Sequence, residues 1–235
     1  MGKGRYGGRR VEAFVFDLDG TLVDSMRDIA VSANFTRVHF GLAEIPYETL
    51  TGYVGDGAAL LLDRTLGHDA ATGHTGGEIR PEMRAEGIQV FADHYSRHLL
   101  DHTRLFPGVL DVLRRYADFP LHVATNKPRA FTDRILEGLN IADAFRRVVG
   151  GDDTPARKPD PRHLEAALEG LDLPPDQVAM VGDSPNDVNA ARAYGAVAVG
   201  CTYGLVSPGR VKAAGPDLLI DSFAELADLF PARRQ

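Results

Sequence analysis

The sequence has little cysteine and no long apolar run. Its single cysteine, Cys201, cannot form a disulfide within the chain, so we expect a reducing compartment and predict a cytoplasmic location. No apolar stretch is long enough to span a bilayer, and no signal-peptide core follows the glycine-rich basic segment 1–10, which we interpret as a flexible tail. We therefore expect no membrane partner.

The net charge of the chain limits the classes of ligand that we expect it to bind. The 235 residues have a formal net charge of -7, which argues against nucleic acid as a ligand. The same charge repels phosphorylated molecules at long range, so a phosphate site has to reverse the sign locally with a metal, a lysine or backbone amides. We expect a small-molecule partner and a monomer or homodimer.

Short apolar runs alternate with helix-like stretches along most of the chain. Each run ends at polar or glycine residues, as strands buried on both faces do. Strands are predicted at 11–16, 121–124, 146–149, 178–181, 197–199 and 218–220, and helices at 109–116, 131–139, 162–168 and 187–194. This alternation predicts an α/β fold with a doubly wound parallel sheet, a Rossmann-like core.

The alternation is interrupted once, where the pattern becomes helical throughout. We predict a helical cap subdomain at 25–101, inserted into an α/β core formed by 11–24 and 102–235. Three histidines in the insert, His94, His98 and His102, recur at helical spacing. They could form a metal site, but no acid or cysteine pattern accompanies them, which favours a solvated helix face.

Polar residues close several of the predicted strands. In an open parallel sheet the carboxyl ends of the strands meet at the ligand-binding edge. This edge is predicted to gather the acids Asp17, Asp19, Asp183 and Asp187 with Thr125, Asn126 and Lys158. Four carboxylates at the rim of an apolar core require a neutralising cation, and an all-oxygen ligand set without histidine or thiolate favours Mg²⁺.

The sequence does not match two other motifs, one that binds Ca²⁺ and one that binds phosphate. An EF-hand loop beginning at Asp17 would need glycine where Leu22 stands, and no Gly-x-x-x-x-Gly-Lys-Ser/Thr loop occurs. The segment Asp17-Leu-Asp-Gly-Thr-Leu22 after an apolar strand instead resembles the first motif of the haloacid dehalogenase superfamily of phosphohydrolases. Thr125-Asn126, Lys158-Pro159 and 182–187 resemble its later motifs, in the same order.

This resemblance implies roles for the matching residues. Asp17 would be the nucleophile, and Asp19 would act as general acid on the leaving oxygen and then as base toward water. The implied metal ligands are Asp17, the backbone carbonyl of Asp19 and Asp183, with Asp187 positioning waters or Lys158. The implied contacts to the substrate phosphate involve Leu18, Gly20, Thr125, Asn126 and Lys158, and the cap glycines Gly55 and Gly57 are candidates for binding a substrate carboxylate.

The substrate is the least constrained part of this interpretation. The segments 52–57, 106–109, 125–128, 150–153 and 158–161 resemble a branch of the superfamily that hydrolyses 2-phosphoglycolate. Phosphatases for sugar phosphates, nucleotides or pyrophosphate would share the core motifs, as would a phosphomutase. A noncatalytic sensor of phosphorylated ligands is the alternative from another functional class, and the intact acids and Lys158 argue against it.

Overall fold

The computed structural model describes residues 10–55, 57–69, 73, 76–77 and 79–231, so all but Arg10 of the predicted basic tail lies outside the described residues. The chain forms two compact units. One contains the residues up to Asp24 and those from Arg104 onward, and the other is Ser25–Thr103. The second boundary thus follows Thr103, where the sequence analysis placed it after Asp101.

The first unit is built on a six-stranded parallel sheet. Its strands, in the order of the sheet, are β5 (Arg147–Val149), β4 (Leu121–Ala124), β1 (Ala13–Phe16), β6 (Val178–Gly182), β7 (Val197–Cys201) and β8 (Leu218–Ile220). The strand order changes direction at β1, which places a ligand-binding crevice at its carboxyl end. The predicted doubly wound α/β fold is confirmed.

Helices and short additional elements complete this unit. The helices are α5 (Val109–Arg115), α6 (Arg129–Gly138), α7 (Arg162–Ala167), α8 (Pro185–Tyr194), α9 (Pro208–Ala213) and α10 (Leu226–Leu229), with 3-10 turns at Ala142–Ala144, Pro175–Gln177 and Phe223–Glu225. An antiparallel pair, β2 (Val23–Asp24) with β3 (Arg104–Leu105), was not predicted. Each of its strands has only two residues, too few for a recognisable alternation.

The core lies on both faces of β1, whose successive side chains point to opposite sides of the sheet. Phe14 stacks on Tyr116 with ring centroids 4.7 Å apart, and the Tyr116 hydroxyl donates to the carbonyls of Leu226 and Phe230 at 2.6 and 2.8 Å. On the other face, Ala13 and Val15 belong to an aliphatic cluster. Burial on both faces explains why β1 reads as a continuous apolar run.

Among the described residues of the second unit, the regular elements are all helices. It contains α1 (Met26–His39), α2 (Tyr47–Thr51), α3 (Ala58–Leu66) and α4 (Pro81–His98). The rings of His94 and His98 stack with centroids 4.3 Å apart, and Nδ1 of His94 lies 3.0 Å from Ser32 Oγ. Among the described residues, these histidines do not belong to a group of three potential metal ligands. No described helix is long and apolar enough to cross a bilayer.

Candidate active site

A tight turn follows β1 and sets the direction of the first two acids. The amides of Thr21, Leu22 and Val23 all donate to the carbonyl of Leu18. Gly20 adopts a φ of 85°, a conformation that favours glycine, and a methyl group here would overlap the Asp183 carboxylate. Gly20 is therefore required by the backbone of the turn and by the space that Asp183 occupies.

Lys158 connects two of the predicted site acids. Its Nζ donates to Asp17 Oδ1 at 2.7 Å and to Asp187 Oδ1 at 2.6 Å, and its side chain is almost fully buried. Burial acts to lower the pKa of Lys158, but the two carboxylates outweigh this effect and raise it. The lysine is therefore a fixed positive charge beside Asp17.

Asn126 holds the backbone of this lysine. Its Nδ2 donates to the Lys158 carbonyl and its Oδ1 accepts from the Lys158 amide, both at 2.9 Å. Sequence reasoning assigned the Asn126 side chain a hydrogen bond to the substrate phosphate. In the structure this side chain contacts the Lys158 backbone and so positions the lysine, and its contact with phosphate stays a prediction.

Thr125 lies beside Asn126 at the end of β4 and is buried. Its Oγ1 accepts from the Lys127 amide at 3.2 Å, and its carbonyl lies 3.1 Å from Nε2 of the buried His163. Within the described part of the chain, the amides of Leu18 and Asn126 donate to no other residue. Both amides are thus available to an anion, and their contact with the substrate phosphate stays a prediction.

Asp183 is held by a loop that sequence reasoning did not identify as functional. Its Oδ2 accepts from the amides of Leu205 and Val206 at 2.6 and 3.0 Å. Gly204 lies so close that a methyl group there would overlap both Asp183 and the Gly20 carbonyl. Backbone amides carry no signature in a sequence, so only the glycine could have signalled this close approach.

Asp187 is fixed by the first turn of α8. Its Oδ2 accepts from the backbone amide of Ser184 at 3.0 Å and from its hydroxyl at 2.6 Å, which forms a capping box. Gly182 leaves the space that this carboxylate fills. The capping role and the contact with Lys158 occur together, because they use different oxygens of the same carboxylate.

Asp19 is paired with a second lysine that the sequence analysis did not assign to the site. Lys127 Nζ donates to both oxygens of Asp19, at 3.0 and 2.8 Å. The side chains of Lys127 and Asp19 are 7% and 19% exposed. Lys127 directly follows Thr125-Asn126, and this position was the feature of the sequence that could have assigned Lys127 to the site.

The charges of the site fit a divalent cation. Ligand oxygens of Asp17, Asp183 and Asp187 lie within 4.8 Å of one another, and all three residues are buried. Burial, with repulsion from Asp187 and Asp19 and partial compensation by Lys158, raises the pKa of Asp17 to about 6. Burial and the charges of Asp17 and Asp187 also raise the pKa of Asp183 well above its usual range.

The net charge of the four acids and two lysines of the site also favours a divalent cation. When all four site carboxylates are ionised, the two site lysines leave two negative charges, the charge that one divalent metal ion neutralises. The donors are all oxygens, and hard divalent cations prefer oxygen ligands. Asp17 and Asp183 therefore suit a divalent metal ion.

The two candidate glycines of the helical unit lie apart in sequence from these groups. Gly55 and Gly57 have φ values of 115° and 90°, and Gly57 directly precedes α3. A methyl group on Gly57 would meet nothing within 4 Å. Their predicted contact with substrate stays a prediction.

Comparison with known proteins identifies the family. The sequence model of the haloacid dehalogenase-like hydrolases matches residues 14–201. A phosphoglycolate phosphatase from Chromobacterium violaceum is 40% identical over 94% of this chain and 97% of the relative, and one from Vibrio vulnificus is 36% identical over 94% and 96%. The crystal structure of a predicted phosphoglycolate phosphatase from Haemophilus somnus 129PT superposes with a TM-score of 0.84 at 30% identity, covering 93% of this chain and 97% of that one. The chain therefore belongs to the haloacid dehalogenase-like hydrolase family, and within it to the phosphatases that cleave phosphoric monoesters.

Proposed function

We propose that this phosphatase hydrolyses 2-phosphoglycolate to glycolate and phosphate, with Mg²⁺ as cofactor and an aspartyl-phosphate on Asp17 as intermediate. The observation that carries the chemistry is the placement of Asp17 at the carboxyl end of the central strand, 2.7 Å from Lys158 and beside Asp183. The substrate rests on the names of the curated relatives, which are 36–40% identical over nearly the whole chain.

In the first half-reaction, a carboxylate oxygen of Asp17 attacks phosphorus as the bond from phosphorus to the ester oxygen breaks. Protonated Asp19 gives its proton to that oxygen, which leaves as the hydroxyl of glycolate. An alkoxide is a poor leaving group, so this proton transfer lowers the barrier. Lys158 balances the charge on the phosphoryl group, and the amides of Leu18 and Asn126 donate to its oxygens.

In the second half-reaction, Asp19 accepts a proton from water as the water oxygen attacks phosphorus. The bond between phosphorus and the Asp17 oxygen breaks, which releases inorganic phosphate and restores the Asp17 carboxylate. Asp19 ends protonated, ready for the next substrate molecule. Asp17 thus first binds and then releases the phosphoryl group, and Asp19 first donates and then accepts a proton.

Asp17, Asp183 and the backbone carbonyl of Asp19 would hold Mg²⁺, with Asp187 fixing Lys158. When bound, the ion would supply positive charge for the phosphoryl group and would offset the repulsion among the carboxylates. Thr125 and Gly20 support the phosphate site, the first through its hydroxyl and the second by its small size. The cytoplasmic location and the monomeric or homodimeric state stay predictions from the sequence.

The test measures phosphate release from 2-phosphoglycolate, sugar phosphates, nucleotides and pyrophosphate, with Mg²⁺ or with EDTA. It uses the wild type, Asp17→Asn, and Asp118→Asn as a matched control, because Asp118 is exposed. We expect 2-phosphoglycolate to be the best substrate, and we expect its hydrolysis to vanish with EDTA and in Asp17→Asn but to persist in Asp118→Asn.

Rapid acid quench with ³²P-labelled substrate tests the intermediate. Label bound covalently to the wild type and absent from Asp17→Asn supports the aspartyl-phosphate. Preference for another ester would overturn the proposed substrate but leave the chemistry standing. Full activity of Asp17→Asn would overturn the mechanism.

A further inference from the structure

Two lysines pair with three of the four acids of the active site. Lys158 contacts Asp17 and Asp187, whereas Lys127 contacts Asp19 through both of its oxygens. Asp17 is the proposed nucleophile, and Asp19 is the proposed acid that protonates the leaving oxygen. Lys158 therefore lies on the side of the nucleophile, and Lys127 lies on the side of the leaving group.

This position follows from the sheet. β1 and β4 are neighbouring parallel strands, with Phe16 beside Val123. Asp19 leaves the end of β1 and Lys127 leaves the end of β4, so the two side chains meet at one edge although 108 residues separate them. The Lys127 amide also donates to Thr125 Oγ1, which fixes the start of its loop.

We propose that Lys127 determines specificity by binding a carboxylate on the leaving group of the substrate. This inference rests on the proposed function and deepens it, because it assigns the anion selectivity to a residue of the α/β core. The ligand class is phosphate esters that carry a carboxylate next to the ester carbon. Lys127 would exchange part of its ion pair with Asp19 for an ion pair with the substrate.

The size of the substrate makes this contact possible. In 2-phosphoglycolate the carboxylate is bonded to the carbon that carries the ester oxygen, so its oxygens lie about 3 Å from the leaving oxygen by ordinary bond lengths. An acid that protonates this oxygen has to approach within about 3 Å of it. A cation 2.8 Å from that acid can therefore contact the carboxylate when both lie on the same side of the leaving oxygen.

Charge complementarity favours the same assignment. The chain carries a net charge of -7, and four carboxylates lie at this site. A substrate with an additional carboxylate meets more repulsion than a neutral ester does, unless a positive charge faces that carboxylate. Lys158 is already bound between Asp17 and Asp187, which leaves Lys127 as the lysine placed to face the leaving group.

The test compares two esters with the same skeleton, 2-phosphoglycolate and 2-hydroxyethyl phosphate, which has a hydroxymethyl group in place of the carboxylate. The measured quantity is the ratio of their kcat/KM values with Mg²⁺. The proteins are the wild type, Lys127→Met, Lys127→Arg, and Lys212→Met as a matched control, since Lys212 is an exposed lysine of α9.

We expect Lys127→Met to lower this ratio by roughly 10- to 100-fold, the range for losing one hydrogen bond between charged groups. Lys127→Arg keeps the charge and should retain most of the preference, and Lys212→Met should keep the wild-type ratio. Inhibition by glycolate should weaken in Lys127→Met, whereas inhibition by inorganic phosphate should change little.

The outcomes separate the alternatives. A fold defect, or a role of Lys127 confined to positioning Asp19, slows the hydrolysis of both esters equally. An unchanged ratio of kcat/KM values in Lys127→Met therefore overturns the inference, even if both rates fall. A wild type that does not prefer 2-phosphoglycolate overturns the proposed function, and that result appears before any variant is measured. A preserved wild-type preference with a lost preference in Lys127→Met supports both.

Discussion

The side chain of Asn126 makes two hydrogen bonds to the backbone of Lys158, one to its amide and one to its carbonyl, each of 2.9 Å. The side-chain amide thus pairs with both polar groups of one residue, as a neighbouring strand would. Lys158 lies in a loop, and this pair fixes its backbone while its ammonium group reaches Asp17. The end of β4 thereby controls the position of the Lys158 ammonium group beside Asp17, the proposed nucleophile.

Replacing Asn126 should therefore impair catalysis through Lys158. We expect Asn126→Ala to lower kcat by roughly 10- to 100-fold, because losing two hydrogen bonds of about 1 kcal/mol each frees the lysine to move. The control is Asn189→Ala, at an exposed position of α8. Steady-state kinetics check the prediction, and equal kcat values for Asn126→Ala and the wild type would contradict it.

Gly204 should be required for the position of Asp183. A methyl group at this residue overlaps the Asp183 carboxylate, whereas one at Gly209 meets nothing within 4 Å. Neither glycine needs a left-handed backbone, so the comparison tests space alone.

We expect Gly204→Ala to lower kcat/KM by at least about 100-fold, because a displacement of about 1 Å in an active-site group such as Asp183 lowers rates by about this factor. Gly209→Ala should match the wild type. Circular dichroism of Gly204→Ala should show an intact fold, and wild-type activity in Gly204→Ala would refute the steric argument.

The sequence was sufficient to predict most of the sheet. Strands such as β1 and β6 are buried on both faces, so they appear as short apolar runs, and the acids that follow them meet at one edge. This local signal needs no knowledge of side-chain direction. The fold and the gathering of Asp17, Asp183 and Lys158 could therefore be anticipated.

Side-chain pairing across the site could not be anticipated in the same way. The pattern around Thr125 does not tell whether Asn126 or Lys127 faces the reaction, because a loop has no fixed period. In the structure Lys127 contacts Asp19 and Asn126 contacts the Lys158 backbone, and neither pairing was predicted. The amides of Leu205 and Val206 that hold Asp183 were missed because any residue supplies an amide.

Metal binding should stabilise the fold. The carboxylates of Asp17, Asp183 and Asp187 are buried together, so a bound divalent cation relieves their repulsion. At a Mg²⁺ concentration of about 100 times Kd, we expect a gain of about 2.7 kcal/mol in the free energy of unfolding, seen as a Tm higher by several degrees. Differential scanning fluorimetry with Mg²⁺ or EDTA measures this shift.

Asp183→Asn should stabilise the metal-free protein. Burial and two neighbouring acids raise the pKa of Asp183, so its ionised form is costly in the folded protein. At pH 8 in EDTA, Asp183→Asn should be more stable than the wild type by about 1–3 kcal/mol and should lose the Mg²⁺ shift. Asp118→Asn should behave as the wild type in both buffers, and a destabilised Asp183→Asn would count against the repulsion.

His122 should make stability depend on pH independently of the active site. It lies in β4 and is buried, and among the described residues neither of its ring nitrogens has a hydrogen-bond partner of good geometry. Burial, reinforced by Arg146 and Arg147, lowers its pKa to about 4, and the nearby Ala167 carbonyl offsets this only in part. The neutral ring is therefore the folded form.

The sign of the effect follows from the two pKa values. Between about pH 4 and 6.5 the unfolded chain binds a proton at this histidine and the folded chain does not, so the free energy of unfolding falls as pH is lowered through this window. The full loss is up to about 3 kcal/mol. His122→Leu removes the titrating group and the two unsatisfied nitrogens, so it should lose less stability on acidification than the wild type does. Urea unfolding of both proteins from pH 8 to pH 4 isolates this difference, since the carboxylates common to both cancel, and parallel pH profiles would show that His122 does not contribute.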